Sequence, residues 1–161
     1  MGAGSWAKWK GFAGESFRIT FPIFKAFCFI HFTHSHICSF VLPWGPSMLP
    51  TVNLSGDVLL CEKISHKYNK LSRGDIVLLR SPKNPKRLVT KRLVAVEGDV
   101  VLTENEKSII VPKGHVWVLG DNPENSTDSR VFGAVPSALV TGRSFWKVWP
   151  LAGFGPLSTA K

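Results

Sequence analysis

A serine between two prolines is the residue of this chain most ready for chemistry. In Trp44-Gly45-Pro46-Ser47-Met48-Leu49-Pro50-Thr51, each proline fixes its own φ and restricts the residue before it, so Ser47 is presented by a stiff peptide. Gly45 lets a second backbone or a ligand come close. A hydroxyl becomes a useful nucleophile only when a base takes its proton, and the octapeptide alone reads more readily as an ordinary turn. Two later stretches change that reading. Thr90-Lys91-Arg92 lies inside a strand-like run, and a polar segment, Gly120-Asp121-Asn122-Pro123-Glu124-Asn125-Ser126-Thr127-Asp128-Ser129-Arg130, follows an apolar one.

No histidine presents itself as the base. His31, His34 and His36 fall in an apolar N-terminal stretch, His66 in a polar connection, and His115 at a strand start beside a Pro-Lys-Gly turn. A lysine can serve when burial lowers its pKa, because desolvation disfavours the ammonium form. On a strand alternate residues share a face, so Lys91 lies with Val89, Leu93 and Ala95 while Arg92 points the other way. Spacing leaves two readings open: a buried general base, or an edge lysine with its head in water. Loops such as 120–130 commonly carry sites. Its Asp128 and Arg130 read either as a solvated pair or as support for a site.

Taken in order, GPSMLPT at 45–51, RGDIV at 73–77, SPKNPKR at 81–87, KRLVAVEGD at 91–99, VPKGHVWVLGDN at 111–122 and NSTDSR at 125–130 resemble the type I signal peptidases. These are serine proteases with a Ser–Lys dyad, and the likeness is strongest to their mitochondrial inner-membrane branch. It covers most of the chain from Trp44 to Pro150 and little of the first forty residues.

The resemblance implies that Ser47 is the nucleophile and Lys91 the general base, an attested variant of the triad logic. It implies that Ser126 orients the lysine, that Asp128 and Arg130 form a supporting ion pair, and that Gly120, Asp121 and Asn122 shape the floor of the site. Many bacterial members carry a serine two positions before the nucleophile that helps to stabilise the oxyanion. Here that position is Gly45, so the oxyanion hole falls to backbone N–H groups, that of Ser47 among them, or to another donor not identified by the motif. An unreplaced donor costs ~10²–10³ in rate, but the mitochondrial members also tend to have glycine there. No cofactor and no metal are implied. The implied partners are presequence-bearing precursor proteins, a homologous second catalytic subunit and inner-membrane lipid.

The elements that must position these residues are mostly strands. Runs at 57–61, 75–80, 88–96, 99–103, 108–111, 115–119 and 139–148 are short, rich in Val, Leu and Ile, and separated by turn signals such as Arg73-Gly74-Asp75 and Glu97-Gly98-Asp99. Such a pattern predicts a mainly β fold, an antiparallel sandwich or partly open barrel. The resemblance adds one N-terminal membrane-associated helix. The expected organisation is a tail and helix at 1–42, a catalytic domain at 43–151 and a loose C-terminal tail at 152–161.

Residues 21–42, FPIFKAFCFIHFTHSHICSFVL, have about the length needed to span a bilayer, but Lys25 and three histidines interrupt them. The His31, His34, His36 cluster has only Cys38 nearby and no acid, which reads as polar positions on a helix and not as a zinc site. Three cysteines, Cys28, Cys38 and Cys61, lack metal-type spacing and read as free buried thiols. Trp44, Phe145, Trp146 and Trp149 read either as core or as an interfacial belt.

With 161 residues, 44% hydrophobic and 19% charged, the chain is about one globular domain, and its net charge of +9 favours acidic partners. A basic nucleic-acid-binding β domain is one rival reading, but residues 81–92 contain no aromatic for base stacking. A catalytically inactive scaffold subunit is another, and the intact Ser47 and Lys91 speak against it. Together with the resemblance, two N-x-[ST] acceptors bear on compartment, Asn53-Leu54-Ser55 and Asn125-Ser126-Thr127. A glycan at the second would block the site, which favours an enzyme on the mitochondrial inner membrane facing the intermembrane space over one in a secretory lumen.

Overall fold

The structure is a computed structural model that describes residues 18, 20–68, 70–103 and 108–157. Most of the N-terminal tail expected within 1–42 and the end of the one expected at 152–161 lie outside these. The chain divides into two compact units between Ile37 and Cys38.

In the first unit a helix, α1, covers 20–32 and passes into a π-helical turn at Thr33–Ile37. No helix among the described residues is long and apolar enough to cross a membrane. The stretch 21–42, about bilayer length by count, does not form one continuous α-helix. The polar Thr33-His34-Ser35-His36 run breaks the α-helix, and Cys38–Val41 is a strand. Ile23, Phe24, Phe27, Phe29, Ile30 and Phe32 are all exposed on the helix.

The second unit is mainly β. Its strands are β1 (Cys38–Val41), β2 (Val58–Glu62), β3 (Ile76–Arg80), β4 (Leu88–Ala95), β5 (Val100–Leu102), β6 (Ser108–Ile110), β7 (His115–Leu119), β8 (Val135–Pro136), β9 (Val140–Trp149) and β10 (Gly155–Pro156). One antiparallel sheet runs β1-β2-β9-β3-β4-β7-β8, with β10 added on β9, and β5 and β6 form a separate ribbon. The seven runs read from sequence are β2 to β7 and β9. β1 lies within the stretch read at 1–42, and β10 within the one read at 152–161 pairs with β9.

Two core clusters bear on the site. Val77, Leu79, Leu93, Val116, Val118, Val135 and Val140 pack between β3, β4, β7 and β9. Met48, Val52, Leu59 and Ile76 form the other. Each such side chain contributes about 1.5–3 kcal/mol on burial. Met48 is the neighbour of Ser47, so the second cluster anchors the serine's turn to β2 and β3. Of the cysteines, only Cys61 is buried, and burial pushes its thiol up to about 11. Cys28 is exposed and Cys38 is half-buried, so the three do not share the buried setting read from sequence.

Candidate active site

Ser47 sits in a 3₁₀ turn at Pro46–Met48, with proline at its first position as helical turns favour. Gly45 enters the turn at φ 117°, a conformation few other residues adopt, and its N–H donates to Leu54 O at 2.9 Å. Leu49 N–H closes the turn on Pro46 O at 3.2 Å, and Val52 N–H donates to Met48 O at 2.9 Å. The turn packs against β4 and against a second 3₁₀ turn at Pro123–Asn125.

Lys91 lies mid-strand on β4, opposite Val77 of β3, and is 4% exposed. Leu93 and Ala95 on the same face are buried too, so the alternation read from sequence holds and the edge-lysine alternative does not. Its Nζ donates to Ser126 Oγ at 2.8 Å, and Ser126 Oγ donates to Asp128 Oδ2 at 2.7 Å. Burial lowers the lysine pKa most. The carboxylate of Asp128 opposes that shift, while Arg130 and Arg87 add to it, and the result lies below lysine's ordinary value.

Asp128 caps a short helix, α2 (Ser129–Phe132), and its side chain is fully buried. Besides Ser126 it accepts from Gly120 N at 2.9 Å and from Arg130 through N at 3.2 Å, Nε at 3.0 Å and Nη2 at 2.8 Å. Burial alone raises a carboxyl. Here the bonds from Arg130, Gly120 and Ser126 win and hold Asp128 well below the usual carboxylate range. The reading of Asp128 and Arg130 as a solvated loop pair is therefore excluded.

Gly120 is where the segments close on one another. A Cβ there would fall 2.2 Å from Ser126 Oγ and 2.5 Å from Ser47 O. The next two residues extend the closure: Asn122 N–H donates to Ser47 O at 3.1 Å, and Asp121 leaves on the opposite side. Asp121 is taken by Arg92, whose Nε and Nη2 reach its oxygens at 2.7 and 2.6 Å. The same guanidinium donates to Gly74 O at 2.8 Å and to Thr51 Oγ1 at 3.3 Å, and Thr51 Oγ1 donates to Asp121 Oδ2 at 2.5 Å. Gly74 forms the turn into β3 at φ 90°, where its carbonyl can face the arginine.

The structure thus gathers every residue picked out from sequence around the end of β7. Among the described residues, hydrogen bonds chain Lys91 to Ser126 and Asp128 and join Ser47 to Asn122 through its carbonyl. They do not include one between the Ser47 and Lys91 side chains. Catalytic hydrogen bonds often tighten only with substrate in place. Arg92 and Thr51 were missed from sequence. Arg92 pairs with Leu119 across β4 and β7, and that register sets its guanidinium beside Asp121, two residues beyond. The Lys-Arg dipeptide on a strand was the available signal, since it puts one cation on each face.

The family model described as signal peptidase, peptidase S26 matches residues 16–110 and 102–149. The chain is 46% identical over 157 residues to the mitochondrial ATP-independent inner membrane protease subunit 1a of Arabidopsis thaliana, covering 93% of this chain and 94% of that one. It is 40% identical over 151 residues to the human mitochondrial inner membrane protease subunit 1, covering 91% and 90%. A zebrafish (Danio rerio) relative named mitochondrial inner membrane protease subunit 2 is 41% identical over 112 residues, covering 66% and 61%. With that family model and these relatives along its length, the chain belongs to the S26 signal peptidase family.

Proposed function

We propose that this chain is a Ser–Lys endopeptidase of the mitochondrial inner membrane that removes sorting presequences from precursor proteins. The observation that carries the chemistry is the Lys91–Ser126–Asp128 chain on a buried, pKa-lowered lysine. Ser126 has one proton and spends it on Asp128, so it can only accept from Lys91. The lone pair of the neutral amine is left to face Ser47. Ser47 Oγ attacks the scissile carbonyl as Lys91 takes its proton. Lys91 then protonates the leaving amine, and water hydrolyses the acyl-enzyme with the same base. The N–H of Ser47 stabilises the oxyanion, since Gly45 brings no hydroxyl. β7 pairs with β4 only from Arg92 onward. Residues 88–91 therefore keep a backbone edge along which an extended substrate can add as a strand.

The names of the relatives support the compartment and the precursor substrates. The likeness to a relative named subunit 2 supports a homologous second subunit as partner. The exposed Phe24, Phe27, Phe29 and Ile30 of α1, with Trp44 at 79% and Trp149 at 53% exposure, support contact with lipid. The test compares N-termini of inner-membrane and intermembrane-space proteins in cells with the parent chain and with Ser47→Ala. Retained presequences are expected in the variant, and an unchanged set of N-termini would refute the reading.

The catalytic unit faces the intermembrane space. Asn125 is exposed and directly precedes Ser126, whose hydroxyl is committed within the site, so glycosylation there is incompatible with activity. Added protease should digest the chain in mitoplasts and spare it in intact mitochondria. Recovery of a glycan-bearing form would contradict this orientation.

A further inference from the structure

Beyond the site, the chain buries another ion pair that the chemistry above does not use. Asp57 is fully buried, and Lys147 Nζ on β9 lies 2.8 Å from its Oδ2. The same carboxylate accepts from Asn53 N at 2.9 Å and Asn53 Nδ2 at 2.8 Å. Burial works to raise the Asp57 carboxyl, but Lys147 and Asn53 outweigh it and hold it below its ordinary value. Lys147 Nζ also donates to Thr51 O at 3.1 Å. The stem of Lys147 is covered by the 3₁₀ turn at Leu151–Gly153, where a Cβ on Gly153 would come within 3.1 Å of Lys147 Cδ.

Thr51 is therefore gripped from two sides. Its hydroxyl is bound by Asp121 and Arg92 on the β4 side, and its carbonyl by Lys147 on the β9 side. It closes the proline-bracketed peptide that carries Ser47. Between them lie only Met48, locked in the core, and the Leu49-Pro50 pair. A buried pair is weak evidence for stability, because desolvation offsets most of its attraction. One ammonium shared between that carboxylate and a carbonyl of the nucleophile's own loop instead suggests a job in geometry.

We propose that the Lys147–Asp57 pair positions the nucleophile: it fixes Thr51 from the β9 side and so sets where Ser47 stands relative to Lys91. Lys147 and Asp57 touch neither substrate nor the reacting atoms; they are positioning residues, and their role rests on Ser47 being the nucleophile. A misplacement of about 1 Å costs up to about 100-fold in rate. The double variant Lys147→Met/Asp57→Asn leaves no unpaired buried charge, so it is the one to measure on the full chain with a precursor peptide, beside Ser47→Ala. Expected is a fall in kcat of about 10- to 100-fold with KM within twofold, and with the ascending pH limb set by Lys91 unmoved. Lys147→Arg, which keeps a cation opposite Asp57, should recover part of the kcat lost in Lys147→Met. A folded double variant with kcat within twofold of the parent would overturn the proposal while Ser47→Ala stayed inactive. Activity in Ser47→Ala itself would instead remove the reading on which it rests.

Discussion

Replacing Lys91 by methionine should lower kcat/KM on a precursor peptide by about 10⁴-fold or more, and Ser47→Ala should do the same. Neither loss should be a loss of fold. Methionine fills much of the same buried volume, and it removes the cost of holding an amine between Val77 and the buried face of β4. The two changes should not add, because nucleophile and base act in one step. The pH dependence separates the base from a merely structural lysine. Only the neutral amine accepts the serine proton, so activity should rise with pH through the Lys91 pKa. That limb should lie below lysine's ordinary value, since burial, Arg130 and Arg87 outweigh Asp128. Steady-state kinetics with circular dichroism on each variant makes the test. Activity within tenfold of the parent in either folded variant would end the dyad assignment.

The second large effect belongs to Asp128→Asn. Removing one member of a buried pair while leaving the other costs about 3–5 kcal/mol, and the Asp128 side chain that Arg130 meets is fully buried. The amide would also turn a donor toward the Gly120 N–H, the Ser126 hydroxyl or Arg130, all donors that now converge on the carboxylate. Freed from Asp128, the Ser126 proton could turn back onto the Lys91 lone pair and occupy the electrons that the base needs. Denaturant unfolding at neutral pH should show the loss, with activity down about 100-fold. The acid dependence has a fixed sign. The carboxyl's folded pKa lies below its unfolded one, so its stabilisation is complete above the unfolded value and disappears as pH falls through the folded value. The parent should therefore lose stability more steeply than Asp128→Asn below about pH 4. Parallel acid profiles would show that Asp128 contributes little to the fold.

Ser47, Lys91 and Ser126 were legible because motif and resemblance named them together. Strand alternation left Lys91 open between a buried base and an edge lysine, and the resemblance decided between them. The Asp128 cap was legible in principle: an N-cap aspartate five residues before Gly133, at φ 79°, marks a one-turn helix. What stayed hidden was long-range. Arg92 finds Asp121 through the β4–β7 register, and Lys147 finds Asp57 through the β2–β9 pairing that sets Lys147 opposite Leu59. No local pattern encodes either. β1 was hidden in an apolar stretch whose length suggested a bilayer. β8 and β10, at two residues each, are too short to show a period.

The reactive groups come from separate stretches of chain, with Ser126 lying 35 positions beyond Lys91. They meet only after β4 has paired with β3 on one edge and β7 on the other, and after the loop beyond β7 has closed over Gly120. An unfolded or half-folded copy therefore holds an ordinary alcohol and an ordinary ammonium group, harmless to itself and to its neighbours. Completion of the sheet and the onset of proteolysis coincide, so the fold is its own safety catch.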